Sequence, residues 1–222
     1  MIISDSQKFI FIHNPKCAGT SVRNKLLKFD DRQNWFWMFD EIDKKQVDKA
    51  HLPLNLFRRY SYSDFKLLND YFSFGFVRNP YSRALSAYNE VNKGNYQMLI
   101  SDQLSYNEYR KHVNEFILSL SSQRLDGFDM PARHFIPQHH MFYMNGKCYV
   151  DLILKLEHFE KEIRKLKFFN SKLYESVLIA GKQKTNVKSM NLKFNDVFNQ
   201  ETIQHLNKLY EQDFCLFGYD KY

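Results

Sequence analysis

Cysteine is scarce in this chain: Cys17, Cys148 and Cys215 are all there are in 222 residues. An odd, widely spaced set argues against a disulfide framework and fits a reducing compartment. Long apolar runs are missing as well. Near the start, Phe9 to Ile12 falls far short of the roughly 18 residues a membrane span needs, and is too short for a signal peptide. No cysteine or carboxylate stands at zinc-ligand spacing beside His134, His139 and His140. There are seven glycines and five prolines, and no low-complexity linker or internal repeat divides the chain. It therefore reads as one domain over 1–222, long enough for a substantial core.

What is plentiful is aromatic and basic. The chain has 21 Phe and 14 Tyr, and its 32 Lys and Arg against 25 Asp and Glu leave a net charge of +7. A basic balance suits an anionic ligand. Nucleic acid is the rival partner, but the basic residues are spread along the chain. No helix-turn-helix, zinc finger or RRM pattern appears, which argues against it.

The segment Lys8 to Ser21, KFIFIHNPKCAGTS, reads as a strand running into a phosphate-gripping loop. Phe9 to Ile12 suit a buried strand. Asn14-Pro15 breaks it. Lys16, the small residues Cys17, Ala18 and Gly19, and the hydroxyls of Thr20 and Ser21 follow, and then the helical stretch VRNKLLKF. Small residues let backbone N–H groups close around an anion, and a helix starting there points its positive dipole end at the same place. A Walker A loop has its lysine directly after the second glycine. Here Lys16 precedes the loop's only glycine, Gly19, by three residues. A strand–turn–helix with incidental small residues is the plainer alternative.

A second segment repeats the plan. Tyr71 to Val77, YFSFGFV, is strand-like and ends at Arg78-Asn79-Pro80. Asn79 suits an N-cap and Pro80 a first helical residue for YSRALSAYNEV. Arg78 then sits at the carboxyl end of a strand, where open α/β sheets bind nucleotides, and Ser86 lies two turns into the helix. The arginine offers a phosphate a planar fork of N–H groups, and the serine offers a hydroxyl. Arg83 is either a further phosphate contact or a solvated, ion-paired side chain. The spacing predicts helices from Pro80 to about Lys93, Tyr106 to Leu120, from near Glu157, and from Gln200 to Gln212, with a strand over Tyr149 to Leu156. Strands alternating with helices imply a mostly parallel sheet. The aromatic run NWFWMFD, Asn34 to Asp40, is either core or a stacking platform for a sugar.

The order of residues from Lys16 to Ser21 resembles the 5′-phosphosulfate loop of sulfotransferases. R-N-P-x-x-R-x-x-S-x-Y, Arg78 to Tyr88, is similar to the pattern of family 2, the carbohydrate-type enzymes. Weaker similarities continue to the end of the chain: Ala50-His51-Leu52-Pro53, the segment HFIPQHHMFY with Asp151 and Glu157 beyond it, and the tail LYEQDFCLFGY. Cys17 departs from the threonine frequent in relatives, which leaves its backbone N–H unchanged. The resemblance implies an α/β fold of the P-loop NTPase-like, three-layer kind, with a central, mostly parallel sheet flanked by helices. It implies an enzyme that moves a sulfuryl group from 3′-phosphoadenosine 5′-phosphosulfate (PAPS) to an acceptor hydroxyl, that of a carbohydrate by the family's type, while a small alcohol or a tyrosine peptide would suit the same donor site. The product is adenosine 3′,5′-bisphosphate, and no metal is required.

By the same resemblance, residues 8–30 and 71–93 form the nucleotide site and 94–148 the acceptor side. Lys16, Cys17, Ala18, Gly19, Thr20 and Ser21 hold the phosphosulfate, Arg78 and Ser86 the 3′-phosphate, and Asn186 lies on a loop that closes over the nucleotide, where Lys184 and Lys188 either pair with the 3′-phosphate or form a solvated charge run. The chemistry needs a base for the acceptor proton and a cation at the leaving oxygen. Lys16 is suited to the second task. The base should titrate near neutrality, which favours histidine, and the resemblance selects His51 among eight. His13 is expected to hydrogen-bond the loop backbone or to lie near the reacting centre, and His134, His139 and His140 to wall the acceptor side rather than hold metal. Animal Golgi relatives carry a membrane anchor. Its absence implies a cytoplasmic enzyme of bacterial or phage type, unless the chain is a trimmed catalytic domain. Two readings stay open beside this one. A P-loop kinase or other NTPase is opposed by the loop order, and a non-catalytic nucleotide- or glycan-binding module has no use for a base.

Overall fold

Side-chain alternation along the strands decides the layers of this computed structural model, which describes residues 1–182 and 192–222. The strands are β1 (Ile2–Ser4), β2 (Phe9–Ile12), β3 (Phe39–Ile42), β4 (Lys45–Asp48), β5 (Phe72–Val77), β6 (Tyr143–Met144), β7 (Lys147–Cys148) and β8 (Leu152–Lys155). Four of them form the central sheet in the order β1-β2-β5-β8. β2, β5 and β8 run parallel, with Phe11 beside Phe74 and Phe74 beside Leu152, and β1 pairs antiparallel at the edge. Phe9 and Phe11 of β2 face one way, with Phe74, Phe76 and Leu154. Ile10 and Ile12 face the other way, so both faces are apolar and both need cover.

Helices supply that cover. On the phenylalanine face lie α1 (Gly19–Leu26), α7 (Phe159–Ile163) and α8 (Ser171–Lys182), through Val22, Leu26, Ile163, Leu173 and Val177. On the isoleucine face lie α2 (Leu54–Tyr60) and α3 (Tyr62–Lys66), with Phe57 and Phe65. A further core joins α4 (Pro80–Val91), α5 (Lys93–Ile100), α6 (Tyr106–Leu118), α10 (Gln200–Leu209) and α11 (Glu211–Phe217), and the short α9 (Phe194–Val197) packs against it. This is the mixed α/β architecture with a mostly parallel central sheet that the sequence implied. No helix among the described residues is long and apolar enough to cross a membrane.

Element ends follow local chemistry. Asn79 caps α4 as expected, its side chain accepting from Tyr81 N and Ser82 N at 3.1 Å each. Asp151 Oδ2 accepts from Ser73 N at 2.7 Å and Ser73 Oγ at 2.8 Å, latching the start of β8 to the start of β5. Several bounds differ from the sequence reading. The third strand is shorter, Leu152–Lys155, and the last helix is two, α10 and α11, which break at Tyr210. The helix expected to about Lys93 ends at Val91, and α5 begins anew at Lys93. The helix expected over Tyr106 to Leu120 is α6, preceded by α5; α6 enters the helical core through Tyr109, Val113 and Ile117, and α5 through Leu99. The hairpin β3–β4 was not foreseen, because its turn is Asp43-Lys44, both in the left-handed region without a glycine.

Candidate active site

The loop after β2 is strained and open. Lys16 and Ala18 both adopt positive φ, 61° and 59°, a conformation costing roughly 1–3 kcal/mol per non-glycine residue and tolerated only where the surroundings hold it. Asn14 does the holding. Its Nδ2 lies 2.9 Å from Phe76 O, 3.1 Å from Gln138 Oε1 and 3.3 Å from Cys17 Sγ. Cys17 thus points its side chain into the core, where burial pushes the thiol up to about 12, and it offers the loop only its backbone. Ala18 stands at the N-cap of α1 with no side-chain cap, so the positive end of that helix is left open to the cavity.

Gly19 is required here by close approach. A Cβ on it would lie 1.8 Å from His13 Cδ2 and 2.1 Å from Nε2. Gly19→Ala is expected to destabilise the fold by about 1–3 kcal/mol, read as a lower melting temperature. The same substitution in a His13→Ala background should cost less. An equal loss in both backgrounds would rule out the ring as the obstacle.

Gln138 ties this loop to the next. Its Oε1 accepts from Arg78 N at 2.9 Å as well as from Asn14, and its Nε2 donates to Arg78 O at 2.8 Å. Gln138 is in turn fixed by Asp213, which accepts from the backbone N of Gln138 at 2.7 Å and of His139 at 2.8 Å. Tyr210 OH donates to Phe135 O at 2.8 Å, and Tyr219 OH to Glu157 Oε2 at 2.9 Å. The tail singled out in the sequence is therefore scaffolding. It clamps the segment that holds both loops.

Above the carboxyl ends of β2 and β5 lies a cavity of about 810 Å³. Lys16, Ala18, Gly19, Thr20, Ser21, His51, Arg78 and Ser86 all line it, as do His13 and His134. Asn186, Lys184 and Lys188 lie outside the described residues. Ser82, Ser86 and Glu90 form a stripe along α4, one turn apart, on the cavity wall. Lys16 Nζ reaches across to Glu90 Oε2 at 3.1 Å, and Lys93 holds the other Glu90 oxygen at 2.6 Å. Burial opposes the charge on Glu90, but Lys93 and Lys16 prevail and keep its carboxyl down at about 2.

The histidines divide in two. His51 Nδ1 lies 3.1 Å from the His13 carbonyl oxygen, which can only accept, so Nδ1 carries the proton and Nε2 the lone pair. Burial pushes its pKa down to about 4, against the opposing charge of Asp48. His134 joins it, ring centroids 5.3 Å apart, and burial holds His134 well below the ordinary value as well. His13 is depressed by burial too, and its ring packs edge to face on His51 and flat on Trp37. The expected hydrogen bond from the His13 ring to the loop is not made; the link is packing against Gly19. His139 and His140 line a separate cavity of about 490 Å³, and His139 Nδ1 is held by Asp213 at 2.7 Å. They belong to no common wall with His134.

Protons favour the unfolded chain at all three inner histidines. Their folded pKa values lie below the ordinary 6.5, so the stability they contribute is complete above that pH and drains away as pH falls toward 4. The melting temperature is expected to drop by roughly 5 °C or more between pH 7 and 5. A melt flat over that range would contradict the burial of neutral imidazoles.

Arg83 is not a phosphate contact. It is fully buried, donates to His134 O at 3.0 Å and Ile136 O at 2.9 Å, and stacks on Tyr210. The aromatic run splits: Phe36 is core, whereas Trp37 and Phe39 stand at the cavity, 40% and 53% exposed. From 94–148 only Arg133 and His134 reach that wall. Glu90, Asp48 and Arg133 are cavity residues that sequence reasoning missed. Glu90 carried a signal, lying four residues after Ser86 on the same helix. Asp48 and Arg133, an ion pair at 3.2 Å, are brought in by a hairpin and a turn that no pattern announced.

Compared with known proteins, residues 1–220 match a family model described as "Sulfotransferase family". No curated protein and no solved structure matches the chain.

Proposed function

We propose that this chain, which belongs to the sulfotransferase family, transfers a sulfuryl group from PAPS to a hydroxyl of a carbohydrate acceptor. The observation that carries this reading is one cavity with three kinds of group on its wall. An open helix N-terminus with Lys16, Thr20 and Ser21 suits the phosphosulfate. Arg78 and Ser86 suit the 3′-phosphate, and because Asn79 already caps α4, side chains rather than helix amides must hold it. His51 offers a lone pair on Nε2 to the acceptor hydroxyl.

In this reading His51 takes the acceptor proton as the oxygen attacks sulfur in line. The S–O bond to the phosphate breaks on the far side, and Lys16 neutralises the charge arriving on the leaving oxygen. Trp37 and Phe39, exposed at the same cavity, give a sugar ring aromatic faces to stack on.

Thermal shift tests the nucleotide assignment. Adenosine 3′,5′-bisphosphate at about 100 times its Kd stabilises by about 2.7 kcal/mol, a rise of roughly 5–10 °C for a chain of this size. The expected ranking puts PAPS and the bisphosphate first, 5′-AMP well behind, and the gain lost in Arg78→Ala. A larger shift with ATP and magnesium would instead support an NTPase.

A further inference from the structure

Ligating atoms of Asp48, His51 and His134 lie within 4.8 Å of one another. They come from three pieces of chain: the end of β4, the turn after it, and the turn whose carbonyls Arg83 grips from the core. His51 and Asp48 are each oriented by a neighbour that leaves coordinating capacity free. His51 Nδ1 is engaged by His13 O, so Nε2 is available. Asp48 accepts from Ala50 N on Oδ1 at 3.0 Å and from Arg133 Nε on Oδ2 at 3.2 Å, and each oxygen keeps a second lone pair. His134 is only 7% exposed, and its Nδ1 has no hydrogen-bond partner among the described residues. The main cavity opens onto all three side chains.

Two imidazoles and a carboxylate, with room for water in a fourth position, are the ligand set of zinc and its first-row neighbours. At a Zn–N distance of about 2.1 Å, tetrahedral ligand atoms sit about 3.4 Å apart, so the side chains need close by little more than an ångström. Magnesium, which demands oxygen ligands and keeps its waters, is a poor fit.

We propose that Asp48, His51 and His134 form a binding site for Zn²⁺ or a similar transition ion, and that filling it switches sulfuryl transfer off. The second half rests on the reading of His51 as the base: an ion on Nε2 occupies the lone pair that must receive the acceptor proton. The ion is an inhibitor here and takes no part in the reaction.

The test uses the full chain, stripped with chelator and titrated with Co²⁺ and Zn²⁺. One equivalent of Co²⁺ is expected to give visible d–d absorption, which Zn²⁺ abolishes by displacement and Mg²⁺ does not. Losing a ligand should cost at least what losing an outer-shell partner costs, about 10–100-fold in metal affinity. That loss is expected for Asp48→Asn and for His134→Gln, each checked for folding by its melt. His140→Gln, on the other cavity, should bind as wild type. Zinc should inhibit transfer over the concentration range in which it binds, with chelator restoring the rate. No stoichiometric cobalt spectrum, or full affinity in both ligand variants, overturns the site. Tight binding with undiminished transfer keeps the site and overturns the switch together with the His51 base. The titration decides the site even where no acceptor has been found.

Discussion

Replacing His51 with alanine is expected to lower kcat by roughly 10²–10⁴-fold, the usual contribution of a positioned general base, while binding of adenosine 3′,5′-bisphosphate stays as in wild type. The expectation follows from which nitrogen is free. The His13 carbonyl fixes the proton on Nδ1, so Nε2 accepts without any tautomer change. The pH profile carries a further signature. In the free enzyme burial sets the His51 pKa at about 4, so the acid limb of kcat/KM should fall there rather than near 6.5. Bound PAPS brings negative charge beside the ring and raises that pKa, so the limb of kcat should lie higher. Activity retained in His51→Ala, with both limbs unmoved, would remove the base from the mechanism and favour a module that only binds.

The strand–loop–helix units were legible because their chemistry is local. Phe9 to Ile12, Lys16 to Ser21 and Arg78 to Pro80 announce a strand end, an anion loop and a cap within a few residues, and the structure sets both loops on one cavity. Arg83 shows where local reading fails. Its helix position is right, but whether it meets a phosphate or the carbonyls of His134 and Ile136 depends on a segment some fifty residues on. The histidines failed in the same way. His134 and His139 are near neighbours in sequence, yet the turn between them sends one to the main cavity and fixes the other on Asp213. Glycine-free left-handed residues at Asp43 and Lys44 hid the turn between β3 and β4, since only the tertiary fold sustains them.

Lys16→Ala should lower kcat by about 10²–10³-fold, the range found when one group stabilising transition-state charge is removed. Nucleotide affinity should fall far less, because Arg78, Ser86 and the open end of α1 remain. The structure places the ammonium on Glu90 at 3.1 Å, with the two side chains 21% and 35% exposed. An ion pair that open contributes about 0–1 kcal/mol, so exchanging it for a charge-assisted hydrogen bond to the leaving oxygen is a downhill step. Lys93, already 2.6 Å from Glu90, keeps that carboxylate partnered after Lys16 has left. Two consequences separate this account from a merely structural lysine. Glu90→Gln should tighten nucleotide binding, since it removes a fixed negative charge from the wall that receives a polyanion, and Lys16→Arg should restore only part of the rate. A Lys16→Ala enzyme turning over near the wild-type rate would mean that the helix dipole alone carries the leaving-group charge, and the cation at position 16 would then be a binding residue only.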